Sequence, residues 1–131
     1  MEMSVLKLSV LSFLIISLSH IVQPRAWVDF FIYLRQKGVT GVFITAFIHL
    51  PFGVFVVAFH NVWTGIPAIL TVMGWGLVCK GTLYFIFPRV GLLSLSHVSV
   101  ERTRDFVIAG AVMLGLTIVL ALPLFAFGSN P

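Results

Sequence analysis

The amino-acid sequence predicts an all-α membrane protein, a four-transmembrane-helix bundle with one amphipathic interfacial helix between spans one and two. Three observations carry this. Of the residues, 60% are hydrophobic and 9% are charged, with a mean hydropathy of +1.13, whereas a soluble domain carries about 25% charged residues. The apolar residues fall into four runs, about 5–22, 41–60, 66–87 and 106–127, each near the ~20 residues that cross a bilayer as a helix. Six of the eight Lys/Arg side chains sit in the first and third connections between those runs. No repeat, low-complexity tract or linker divides the chain, so residues 1–131 read as a single polytopic membrane domain.

The first run, 5–22, begins beside Lys7, which is close enough to the edge to snorkel. It reads as a helix rather than a secretory leader, because Glu2 offsets Lys7 and no small-x-small cleavage pattern precedes Pro24. Its serines (Ser9, Ser12, Ser17, Ser19) can bond to their own helix or to a neighbour. Pro24 suits the first turn of a new helix, about 25–36, where its missing N–H costs nothing. There Trp27, Phe30, Phe31 and Leu34 recur at helical spacing opposite Arg25, Asp29 and Gln36. That pattern predicts anchoring in the headgroup layer. Gly38 and Gly41 separate this segment from the second span.

Along the second span, Thr45, His49, Gly53, Val56 and His60 share a stripe, and Pro51 should bend the helix beside His49. A short turn at 61–64 leads into the third span, with Pro67 in its first turn. Trp63 fits an interfacial belt. Met73, Gly76, Lys80 and Tyr84 share a stripe, while Gly74, Gly76 and Gly81 permit close helix contact. Residues 89–98 read as a short, partly apolar loop, and Ser99 as an N-cap with Glu101 and Asp105 favourable to the helix dipole. The fourth span holds Ala111 and Gly115 as a small-xxx-small pair, Pro123 near its end, and then an uncharged tail at 128–131. Gly53, Gly76, Ala111 and Gly115 are thus the expected helix-packing positions.

Orientation follows from the basic residues. Arg25, Arg35 and Lys37 lie in one connection and Arg89, Arg102 and Arg104 in another, against Lys7 at the opposite edge. The excess places both connections in the cytoplasm and both termini on the outer, periplasmic side. The sequence pI of about 9.9 has this use rather than nucleic-acid binding, because the basic residues form no continuous face. Cys79 is the single cysteine, so the chain can form no disulfide of its own and no cysteine metal framework.

Ionisable residues inside apolar runs are costly and usually face protein or water. His49 and Lys80 are the two that matter. Each lies roughly fifteen residues from the 61–64 turn, or ~22 Å along a helix, so an antiparallel hairpin brings them to one depth. One reading is a proton-handling or ligand-gripping pocket with Thr45 and Tyr84 beside them. The other has Lys80 snorkelling to the cytoplasmic edge, ~12 Å away, and His49 bonding a carbonyl. No acidic residue lies within a span, which weakens a proton relay.

His49 and His60, eleven residues apart, lie on one face at the spacing of two stacked haems. A bis-histidine haem needs a partner at each depth, and only His20 and His97 remain, both near the cytoplasmic edge. A single chlorophyll-type pigment on His49 needs only one imidazole. No metal site and no catalytic residues emerge: the sequence has no His-x-x-x-His, no Cys pair and no Gly-rich phosphate loop. Ser94, Ser96 and His97 crowd one loop without an orienting carboxylate of their own, although Glu101 follows closely.

The run His60-Asn61-Val62-Trp63, followed by Gly74-Trp75, Lys80-Gly81 and Pro88, resembles a pattern in small bacterial integral membrane proteins. Those are similar to a four-span bundle with an outward His-Asn-x-Trp turn and a Gly-Trp…Lys-Gly third span. The resemblance covers the central third of the chain. It implies the architecture and a bacterial inner-membrane location, and it implies no activity or cofactor.

Taken together, these features predict a small non-catalytic accessory or structural subunit within a larger membrane complex, in contact with lipid and other membrane subunits. The alternative is a pigment-, quinone- or proton-handling protein using a His49/Lys80 pocket. An intramembrane enzyme ranks below both.

Overall fold

In the computed structural model, which describes residues 1–126, the chain is helical almost throughout. The elements are α1 (Glu2–Val22), α2 (Pro24–Gln36), α3 (Val39–Phe59), α4 (Pro67–Ile86), α5 (Pro88–Ser96), a 3-10 turn (Val100–Arg102) and α6 (Thr103–Ala126). Phe127, expected to end the fourth span, and the 128–131 tail lie outside the described residues. Four helices (α1, α3, α4 and α6) are long and apolar enough to span a membrane.

Local chemistry sets the breaks. Prolines occupy the first turns of α2, α4 and α5, where a missing N–H leaves nothing unpaired. Gly38, at φ +60°, turns the chain from α2 into α3, and Gly65, at φ +63°, turns it into α4. Side chains with a Cβ rarely adopt that conformation. Ser99 stands before the 3-10 turn with extended backbone, but its side chain makes no cap hydrogen bond.

The long helices pack as two pairs, α3 along α4 and α1 along α6. The pairs meet at an apolar core of Val5, Leu6, Phe13, Val56, Leu70 and Leu120, towards the end that carries the 61–64 turn. A second core of Leu34, Val42, Ala46, Tyr84 and Leu95 lies at the arginine-bearing end. There α2 and α5 both fold against the long helices.

One expectation changes here. Residues 89–98, read as a loop, mostly form helix α5: Pro88 starts it, and Gly91 and Leu95, one turn apart, are buried, Gly91 against Val42. Residues expected to anchor α2 in a headgroup layer also pack it onto the protein. Leu34 is 1% exposed. Trp27 stacks on His20 at 4.1 Å between ring centroids and donates its Nε1–H to Ser19 Oγ at 3.0 Å, while Phe31 lies 5.8 Å from Phe106. A helix of 13 residues is marginal alone and gains its stability from such packing. Phe30 remains exposed, as does the opposite face with its Arg25–Asp29 ion pair at 3.0 Å. Arg35 Nη1 ties the end of α2 to the far connection, donating to Val98 O at 2.9 Å and Ser96 O at 3.5 Å.

The glycines separate into two groups. A Cβ on Gly53 would lie 2.8 Å from Val78 N and 2.9 Å from Gly74 O, so α3 and α4 touch backbone to backbone there. A Cβ on Gly74 would lie 2.6 Å from Val56, one on Gly81 2.6 Å from Leu50, and one on Gly110 2.8 Å from His20 Cβ on α1. Gly76 and Gly115 are different: among the described residues a Cβ on either meets nothing within 4 Å, and Ala111 is exposed. Gly76 and Gly115 thus crowd no other helix among the described residues, because α4 and α6 are rotated to present Gly74, Gly81 and Gly110 inward.

Candidate functional site

Antiparallel packing of α3 on α4 brings His49 and Lys80 together. Lys80 Nζ donates to His49 Nε2 at 3.3 Å, and His49 Nδ1–H donates to the Thr45 carbonyl at 2.6 Å. The second bond selects the tautomer, since a carbonyl can only accept. It leaves Nε2 as the acceptor that Lys80 needs. The Thr45 hydroxyl points elsewhere, donating to Gly41 O at 3.0 Å. Lys80 Nζ also lies 5.7 Å from the centre of the Tyr84 ring, which is 6% exposed, a cation–π approach. His49, Lys80, Thr45 and Tyr84 thus form one cluster, with the imidazole and the amine half-buried.

Chemically the cluster is self-contained. With Lys80 in place the Nε2 lone pair of His49 is engaged, so a pigment metal would have to displace the amine. Among the described residues no carboxylate comes within ion-pair distance of Lys80, the ion pair there being Arg25–Asp29. Two apolar grooves lie elsewhere. One, of about 360 Å³, is lined by Met1, Ser4, Val5, Leu8, Phe55 and Phe59; the other, of about 250 Å³, by Ser19, Ala26, Trp27 and Phe30.

Other histidines serve their own helices. His20 Nδ1–H donates to Ile16 O and His97 Nδ1–H to Leu93 O, each at 2.8 Å. The Ser96 hydroxyl donates to that same Leu93 carbonyl at 2.6 Å, so serine and imidazole share an acceptor rather than bond to each other. Among the described residues no three His, Cys, Asp or Glu side chains gather as a metal site. Cys79 is exposed.

A denser polar network lies at the other end of α3 and was not legible as a site. His60 is 1% exposed. Its Nδ1 lies 3.2 Å from Glu2 O on α1, and its Nε2 lies 3.2 Å from Pro67 O on α4. Thr71 Oγ1 accepts the Val62 N–H at 3.1 Å and lies 3.0 Å from His60 O and 2.7 Å from Val62 O, donating to one of them at a time. Trp63 stays 59% exposed, its Nε1–H donating to Asn61 Oδ1 at 2.8 Å. The available signal was compositional: His60, Asn61, Thr64 and Thr71 cluster around a turn between two apolar runs.

No family model, curated protein or solved structure matches the chain.

Proposed function

We propose that this chain is a small non-catalytic accessory subunit that packs within a larger membrane protein complex. The observation that carries the reading is the outward position of Gly76, Ala111 and Gly115, each bare of neighbours or exposed in the isolated chain. Small residues at such positions let a second helix approach closely inside a bilayer. Helix α6 supports it further, because only 17% of its most apolar stretch is buried by the rest of the chain. The arginine-bearing end lies in the cytoplasm and the 61–64 turn outside, by the excess of basic residues in the first and third connections. A bacterial inner membrane is the location that the His60–Trp63 resemblance favours.

Purification in mild detergent tests the reading. A stoichiometric membrane partner should accompany the chain, and Gly115→Leu should release it while the chain itself melts unchanged. A protein that runs as a lone monomer in every mild detergent would overturn the proposal.

A second reading has a specific observation of its own. The 3.3 Å contact of Lys80 with His49, under the Tyr84 ring, sets two titratable groups within an apolar helix pair. On this reading the cluster grips a pigment or quinone, or handles a proton. Visible absorption of the purified protein, abolished by His49→Leu, would establish the pigment version. A spectrum without such bands removes it.

A further inference from the structure

We propose that His60 is a proton-binding site that clamps the helix ends around the 61–64 turn. With both ring nitrogens protonated, it joins α1 to the α3–α4 pair. With one proton lost, it lets one of its two carbonyl partners go. The inference is independent of the accessory-subunit reading.

Both ring nitrogens of His60 face acceptors. His60 presents Nδ1 to Glu2 O and Nε2 to Pro67 O, both at 3.2 Å. A backbone carbonyl has no proton to give, and a neutral imidazole carries one N–H. A neutral ring therefore bonds one carbonyl and sets its remaining lone pair against the lone pairs of the other. The imidazolium donates to both. Burial sharpens the contrast: the residue is 1% exposed, and an unmatched polar atom is costly away from water. Thr71 fixes the ring's position by holding the His60 and Val62 backbone from α4.

The charges nearby are few. On α1 the amino terminus and the Glu2 carboxylate stand at this end, both on exposed residues, and Lys7 lies further along, also exposed. On α4 no ionisable residue precedes Cys79, on α6 none follows Asp105 among the described residues, and residues 61–66 contain none. His49 is three turns away on the same helix as its C-cap His60. The C-terminal end of α3 itself favours a cation.

The clamp has a structural consequence. The bond from Nδ1 to Glu2 O crosses between the two helix pairs, which otherwise meet through side chains such as Val5, Leu6 and Val56. It lies beside the apolar groove of about 360 Å³ that Met1, Ser4 and Val5 share with Phe55 and Phe59. Loss of the proton should free the start of α1 and widen that groove.

Nitrogen NMR of the full chain, labelled with 15N-histidine in detergent micelles, tests this directly. Both His60 ring nitrogens should be protonated at the acid end of a pH titration, and one should not be at the alkaline end. Hydrogen exchange supplies the structural readout. After correction for intrinsic rates, the amides of Ser4, Val5 and Leu6 should exchange about tenfold faster at the higher pH, the loss expected for one charge-assisted bond. In His60→Gln that pH difference should vanish. A single protonated nitrogen at the lower pH, or equal protection at both, would overturn the proposal on the unaltered protein alone, whether or not the variant folds.

Discussion

Helices α3 and α4 follow one another through a short turn and touch backbone to backbone, whereas α1 and α6 come from opposite ends of the chain and meet largely through side chains. In the first pair, Gly53, Gly74 and Gly81 leave no room for a Cβ, and the turn is laced by Thr71 to the His60 and Val62 backbone. In the second pair one glycine, Gly110, makes a comparable approach. The hydroxyls buried on those two helices mostly bond their own helix: Ser17 Oγ donates to Leu14 O at 2.9 Å and Thr117 Oγ1 to Met113 O at 2.7 Å, while Ser9 Oγ has no partner among the described residues. The difference teaches where geometry is dictated. Backbone contact admits one spacing of α3 against α4. Side-chain contact lets α1 and α6 slide and repack with smaller penalties.

That contrast can be broken at named positions. Gly53→Leu should have the largest effect, forcing α3 off the Val78 and Gly74 backbone and lowering stability by about 3 kcal/mol or more, as severe overpacking does. Denaturation in mixed micelles would measure it, and a loss below that of an exposed substitution would remove the backbone-contact account. Next comes Thr71→Val, which takes away the hydroxyl serving the His60–Val62 backbone and should cost about 1–3 kcal/mol. The same titration reads it, and amide exchange at Val62 should rise with it.

Smaller effects sharpen the other side of the comparison. Ser9→Ala removes a buried hydroxyl without a partner, so the α1–α6 pair should gain up to about 1 kcal/mol. A loss instead would mean that Ser9 bonds across the helices. Gly115→Leu should change monomer stability least, within about 0.5 kcal/mol, as at an uncrowded surface position. Its larger effect should be on association, read by what co-purifies.

Much of the site geometry could be seen before the fold. Counting outward from the turn places His49 and Lys80 level with each other, because a hairpin with a short connection has few registers. The role of His60 could not be seen that way, since its carbonyl partner on α1 is 58 residues distant, and a backbone carbonyl leaves no mark in residue identity. Helix α5 was hidden for a related reason. Its burial comes from α2, α3 and α4 together, with Gly91 against Val42 of α3, and nine residues give too short a pattern to announce a helix alone.

By itself the sequence determined four helices long and apolar enough to span a membrane, the proline-marked starts of α2 and α4, and the pairing of α3 with α4 through a short turn. Tertiary structure alone decided which way each long helix is rotated, and so why Gly74, Gly81 and Gly110 are buried while Gly76 and Gly115 are bare. The physical reason is that these helices are apolar on every side. An amphipathic helix announces its buried face through polar residues on the other; a helix apolar all round does not, and only the shapes of its neighbours settle the matter.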